Sequence, residues 1–194
     1  MKRVFAHGGK AVVREVPEPK LRKGEVLVKP AFSAISVGTE TWLIDGSGDP
    51  NFGVHEYPSV PPYWPKTRTP IKLDHPMPNP SDPAYIGIGY SLAGVVVAVD
   101  DQVVDIVPGD LVACSGSQCA HHAELVSVPR HLVAKVPPGL SLDQAAFVTL
   151  GSIAMNGLRE TECHFGETVV QYGLGLLGLL GSQIGKAAGF KTIG

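Results

Sequence analysis

The residue types and spacing that most directly suggest chemistry lie near the end of the chain, in Gly173-Leu174-Gly175-Leu176-Leu177-Gly178. This G-x-G-x-x-G run sits between an expected short, buried, β-branched strand, Thr168 to Tyr172, and a segment of helical composition from Leu176 to Ala188. A strand, a glycine turn and a helix N-terminus together gather backbone N–H groups and the positive end of the helix dipole, which suits a pyrophosphate. The first glycine permits the tight turn, the second lets the backbone approach the phosphates, and the third lets helix and strand pack closely. Among 23 glycines the spacing alone says little; its place between a strand and a helix gives it weight. Gly189 stops the helix and Lys191 to Ile193 begins a second strand, so the first β-α-β of a dinucleotide-binding fold is expected. An acid that would grip the ribose belongs about 20 residues beyond the first glycine. The chain ends at Gly194, so the unit is expected to be started and not finished.

Other reactive side chains are scattered. His121 and His122 stand at the start of an expected strand, His122 to Val128, where alternation lets at most one of them face inward. Each reads as a surface or satisfied histidine before it reads as an acid, and Glu124 as a structural residue of the strand. Cys114, Cys119 and Cys163 show no C-x-x-C spacing and are odd in number, which fits a reducing, cytoplasmic setting better than a disulfide framework.

The elements that must position these groups are short strands punctuated by turns. Arg3 to Ala6 and Ala11 to Val16 flank His7-Gly8-Gly9-Lys10, a hairpin pattern, and a longer strand is expected from Glu25 to Ile35. Ser91 to Val99 is almost continuously apolar and therefore buried; Leu111 to Cys114 and Leu132 to Val136 continue the series. Such spacing suggests a small β-barrel or sandwich. Residues 45–84 hold more than half of the 17 prolines, which block helix interiors and sheet ladders alike. That stretch reads as an irregular excursion, either a surface loop held by its aromatics or a substrate lid or oligomer contact. From Ser141 the period changes: Ser141 and Gln144 form a capping-box pattern, followed by helical segments near Leu142–Thr149 and Ser152–Glu160.

The 194 residues carry a net charge of −2, so nothing favours nucleic acid or an anionic membrane as partner. Apolar runs fall short of the roughly 18 residues that span a bilayer, and the first residues, MKRVFAHGGKAVV, lack a signal-peptide core.

Several segments in order, GEVLVKPAFSAIS, Gly38-Thr39-Glu40, GYSLAGVVVAVD, VPGDLVAC, HHAELVSVP and GETVVQYGLGLLG, resemble the medium-chain dehydrogenase/reductase superfamily. The resemblance implies a mainly β, GroES-like, partly open barrel followed by a partial α/β Rossmann unit. It divides the chain into a GroES-like catalytic domain over 1–140, connecting helices over 141–165 and an incomplete dinucleotide-binding unit over 166–194, as in a truncated member. The implied cofactor is NAD or NADP, and the implied partner a small-molecule substrate.

The departures from the zinc-dependent members are informative. Their cysteine before the Gly-Thr-Glu segment is Val37 here, their Gly-His-Glu is Gly89-Tyr90-Ser91, and their third ligand falls near Leu150. None supplies a thiolate, imidazole or carboxylate, so no zinc is expected. The structural zinc lobe is absent as well. The wording is most similar to zinc-lacking members, including bacteriochlorophyllide-type dehydrogenases and polysaccharide-cluster oxidoreductases. Thr39 matches the hydroxyl that meets substrate oxygen in zinc members. Tyr90 puts a phenol where a ligand would stand, either to donate a proton or to fill the space. Thr39 and Tyr90 are therefore the candidate catalytic residues, and Gly173 to Gly178 the candidate cofactor turn. The expected parent is a zinc-independent NAD(P)-dependent oxidoreductase of carbonyl, alcohol or enone-type compounds, with the fragment inactive alone. The other reading is a non-catalytic GroES-like binding or assembly module with a vestigial nucleotide segment. In either case an uncovered sheet edge favours homo-oligomers or self-association.

Overall fold

The computed structural model describes residues 1–45, 85–164 and 166–194. The proline-rich excursion expected over 45–84 thus lies almost entirely outside the described residues.

The chain opens as an antiparallel hairpin, β1 (Lys2–His7) and β2 (Lys10–Glu15), whose last pair is His7 with Lys10. Gly8 and Gly9 both take positive φ, +54° and +74°, as a two-residue turn of the type matched to strand twist requires. β1 also pairs with β4 (Ile86–Gly87), giving a three-stranded sheet of order β2-β1-β4.

A second sheet carries the core. β3 (Glu25–Ser33), β5 (Ser91–Val99), β6 (Leu111–Ser115), β7 (Val126–Pro129) and β8 (Val133–Lys135) run antiparallel in the order β7-β3-β5-β6-β8. Alternate side chains point to one face, where Val26, Val28, Leu92, Val96, Val112, Cys114, Val126, Val128 and Val133 bury against Ile106 and Ala120. Register shifts in β3 opposite β5, between Leu27 and Val28 and again between Pro30 and Phe32, go with the curl of this sheet. At the second shift Gly94 lies against the β3 backbone; a Cβ there would stand 2.7 Å from Pro30 Cα. The outcome is the curled, partly open antiparallel barrel that the resemblance implies; the strand pattern alone left barrel and sandwich open.

The segment after Ser36, to which the strand and turn pattern assigns no element, is a helix, α1 (Val37–Asp45). Ser36 stands just before it; its N–H donates to Glu40 Oε1 at 2.9 Å, and the Glu40 N–H donates to the Ser36 carbonyl at 2.8 Å. A side chain reaching back to the residue before the helix satisfies a backbone donor at its start.

Two helices lead out of the barrel, α2 (Leu142–Ala145) and α3 (Val148–Glu160). Gln144 Oε1 accepts the Ser141 N–H at 3.3 Å, the Gln144 arm of the expected capping box. The chain then forms β9 (Thr168–Val170), α4 (Leu176–Ala187) and β10 (Lys191–Ile193), with β9 and β10 parallel and α4 the crossover. α4 packs on α3. The expected strand Thr168 to Tyr172 is shorter than its composition implies and only Val169 in it is buried: Val170 is exposed and Tyr172 is 97% exposed. Among the described residues β9 pairs only with β10, so its other edge carries no neighbour to cover these side chains.

Candidate functional site

The glycine turn has the geometry its spacing implies. Gly173 lies at φ +91°, in the left-handed region that only glycine adopts without strain. A Cβ on Gly178 would come closer than 3.0 Å to the Gly173 carbonyl oxygen and within 2.6 Å of Gln171 Nε2, so the helix can approach the turn only without a side chain there. Gly175 precedes α4 with open space where its Cβ would be. The Leu179 N–H to Gly175 carbonyl bond, 2.8 Å, starts the helical series, so the amides of Leu176, Leu177 and Gly178 are not consumed by the helix itself. Leu174 and Leu177 are exposed beside them. Gln171 lies under α4, taking the Ser182 hydroxyl at 3.3 Å and lying against Gly178 and Gly181.

Thr39 and Tyr90 are brought to one corner of the barrel through their chain neighbours. Thr39 is exposed in the first turn of α1, and its Oγ1 lies 3.4 Å from Ser36 Oγ. Tyr90 is half-buried between β4 and β5. Its carbonyl is fixed by the Gly116 N–H at 3.0 Å and the Thr149 hydroxyl at 2.9 Å. The adjacent Ser91, fully buried, donates to the Ala146 carbonyl at 2.6 Å and accepts the Thr149 N–H at 3.1 Å. α3 therefore starts on this corner and packs along α4 further on, which links the corner to the glycine turn.

The residue that ties the corner together is His122, which the strand reading underrates. The expected strand from His122 forms only from Val126; upstream, Ala123 makes an isolated bridge with Arg3. His121 is buried and His122 is partly so, and alternation fails because the chain is turning at this point. His122 Nε2 lies 2.8 Å from Glu40 Oε2, and its Nδ1 lies 2.7 Å from Ser33 Oγ. The ring and the carboxylate are nearly sealed from solvent, with side-chain exposures of 11% and 4%. Gly89, at φ +95°, lies against this ring: a Cβ would stand 2.6 Å from His122 N and 2.9 Å from Cγ. The available signal was Ser36 four residues before Glu40, a carboxylate in an otherwise uncharged run from Pro30 to Ile44.

Val37 is exposed at the start of α1, and Leu150 is buried on α3. Among the described residues no three His, Cys, Asp or Glu side chains converge as a metal site. Cys114 and Cys119 are core residues whose thiols burial pushes up, to about 12 and about 11. No described helix is long and apolar enough to cross a membrane.

No family model matches the chain. Among curated proteins, (R,R)-butanediol dehydrogenase of Bacillus subtilis (strain 168) is 28% identical over 217 aligned positions, covering 100% of this chain and 57% of that protein. A quinone oxidoreductase of Pseudomonas aeruginosa is 34% identical over 120 positions, 60% of this chain and 36% of its own length. The chain's relatives are medium-chain dehydrogenases. Solved structures agree on the fold: galactitol-1-phosphate dehydrogenase from Escherichia coli superposes with a TM-score of 0.72 at 22% identity, covering 98% of this chain and 54% of that one. The Escherichia coli quinone oxidoreductase complexed with NADPH gives 0.69 at 22% identity, covering 100% and 52%. The curled antiparallel sheet followed by a β-α-β start is thus the GroES-like and Rossmann arrangement of these enzymes. The chain spans little more than half the length of the relatives that match it from end to end.

Proposed function

We propose that this chain carries the substrate-side corner and the first dinucleotide-binding turn of a zinc-independent, NAD(P)-dependent oxidoreductase acting on carbonyl, alcohol or enone-type small molecules. The observation that carries the reading is the glycine turn, where Gly178 cannot bear a Cβ and Gly175 leaves a free approach to the amides of Leu176 and Leu177. A pyrophosphate would be held by those amides and by the end of the α4 dipole. Bound NAD(P) would supply the hydride acceptor or donor. At the other end Thr39 and Tyr90 offer a hydroxyl and a phenol to orient the substrate oxygen. Val37, Tyr90 and Leu150 offer no thiolate, imidazole or carboxylate, so we assign the corner no zinc. Residues 1–140, 141–165 and 166–194 serve in this reading as catalytic domain, connector and cofactor unit.

Calorimetric titration with NADH and NADPH tests the proposal, beside elemental analysis of protein purified without chelator. Dissociation constants weaker than roughly 10 μM are expected, because one turn supplies only a few of the contacts that hold a dinucleotide. Absence of saturable binding to either cofactor would overturn the cofactor assignment, and one tightly held zinc per chain the metal-free one. Turnover by the 194 residues alone is not expected.

The exposed Val170, Tyr172 and Ile193 around the β9–β10 pair favour a second property, self-association through this edge. Sedimentation velocity over a hundredfold range of concentration should show a concentration-dependent mass, and a strictly monomeric chain would remove it.

A further inference from the structure

Ser33, His122 and Glu40 come from the end of β3, the turn before β7 and the first turn of α1, and they meet in one hydrogen-bonded line. Glu40 is committed at both ends, since Oε1 takes the Ser36 N–H at 2.9 Å while Oε2 faces His122 Nε2 at 2.8 Å. Two amide donors of the backbone frame the ring: the His122 N–H goes to the Ile88 carbonyl at 3.1 Å, and the Val4 N–H comes to the His122 carbonyl at 2.9 Å. An ionised carboxylate can only accept, so it fixes the proton on Nε2 and leaves Nδ1 as an acceptor for the Ser33 hydroxyl. The line runs from a sealed carboxylate to Ser33, the more open end, which is half-buried. It lies at the same corner as Thr39, the chain neighbour of Glu40, and Tyr90, the chain neighbour of Gly89.

We propose that Ser33, His122 and Glu40 form a proton relay serving the oxidoreductase corner. The relay rests on the reading given under Proposed function. In the oxidation direction Ser33 Oγ accepts the proton of the substrate alcohol and passes its own to His122 Nδ1. The carbon–hydrogen bond of the alcohol breaks with its electron pair, which leaves as hydride to an oxidised nicotinamide. The carbonyl forms, and the His122 imidazolium, held beside Glu40, later gives its proton to water. Reduction runs the same steps backwards. Ser33 touches the substrate; His122 and Glu40 are positioning and proton-holding residues that act through it. Other titratable groups at this corner are Tyr90, Arg3 on β1 and His121, the last two meeting over Gly87.

Two measurements decide it, the first on the 194-residue chain and the second on the same chain extended through a complete dinucleotide-binding domain. The first is nitrogen NMR of labelled histidine, with His122 assigned by its loss in H122N. The neutral ring should be the Nε2–H tautomer, S33A should leave it so, E40Q should shift it towards Nδ1–H, and E40D should restore it. An Nδ1–H ring in the unchanged protein, or a tautomer that E40Q does not move, overturns the relay even if dinucleotide binds. The second is oxidation of 2,3-butanediol with NAD by the extended chain as a function of pH. H122N should cut kcat by about a hundredfold or more at little change in KM and remove the acid limb of the profile. An unchanged profile also overturns the relay. The expected tautomer switch without butanediol turnover or dinucleotide binding removes the oxidoreductase reading and leaves the hydrogen-bonded line standing.

Discussion

Replacing Gly178 with alanine tests the glycine turn most sharply, because two effects of opposite sign compete. In an exposed helix interior, glycine to alanine gains about 1 kcal/mol from propensity. At Gly178 the added Cβ would press on the Gly173 carbonyl and on Gln171 Nε2, 2.6 Å away, and the carbonyl belongs to backbone that cannot swing aside. Forcing a methyl into a packed contact costs typically 1–3 kcal/mol, more against backbone, so the net effect is a loss of about 1–2 kcal/mol. With a urea slope of about 1–3 kcal/mol/M, the midpoint of the transition that includes α4 should fall by roughly 0.3–2 M. The comparison residues grade the argument. At Gly185 a Cβ would lie 2.8 Å from the methyl of Thr192, a β-branched side chain with little freedom, and at Gly181 3.2 Å from Gln171 Oε1, the end of a flexible one; neither neighbour is backbone. Stability should therefore rank Gly181→Ala above Gly185→Ala above Gly178→Ala. Gly175→Ala has open space and an ordinary φ of −72°, so its fold should change only by a weaker helix cap. It should nevertheless weaken NADPH binding, since a methyl intrudes where phosphate would approach. Urea unfolding followed by far-UV circular dichroism supplies the first ranking, and calorimetric titration the second. If Gly178→Ala is as stable as the unchanged chain, the close approach of helix and turn is not what requires this glycine.

Gly89→Ala should cost roughly 2–4 kcal/mol, adding positive-φ strain to a clash with the His122 backbone, and thermal unfolding would show it against Gly109→Ala, which has φ +93° but open space. Cys163, partly exposed, should react with iodoacetamide at pH 8 in the native chain, while Cys114 and Cys119, raised to about 12 and about 11 by burial, should react only on unfolding; mass spectrometry of the labelled chain reads this. The carboxyls of Asp100, Asp105 and Asp110 are held below the usual range, by the Gly24 amide, by Arg130 and by Lys135 respectively. Their folded pKa values lie below the unfolded ones, so their contribution is full above about pH 4 and is lost as pH falls further. Urea midpoints at pH 5 and pH 3 should therefore separate, and less so in an Asp105→Asn, Asp110→Asn double variant.

What the sequence made legible was whatever depends on local spacing. The hairpin at Gly8-Gly9, the apolar run of β5 and the glycine turn each declare themselves within a dozen residues, because turn chemistry and side-chain alternation are local. The helix from Val37 did not, since its start is fixed by a carboxylate that is also tied to His122, 82 residues away. For the same reason Tyr172 was misread: a β-branched run implies burial only where a neighbouring strand supplies the cover, and composition cannot say which edge is paired. The catalytic expectation was closest to Thr39 and Tyr90, which substitute for recognisable positions. It passed over their neighbours Glu40 and Gly89, whose contact partners are remote in sequence. A buried carboxylate is costly unless it is hydrogen-bonded, so Glu40 in an uncharged run already implied a partner. Naming that partner required the fold, because Ser33, Glu40 and His122 share no helix face or strand face. The corner is organised by tertiary contacts to residues that local patterning assigns to turns and strand ends, while the glycine turn is organised by consecutive residues, and that difference decides which of the two sites could be read beforehand.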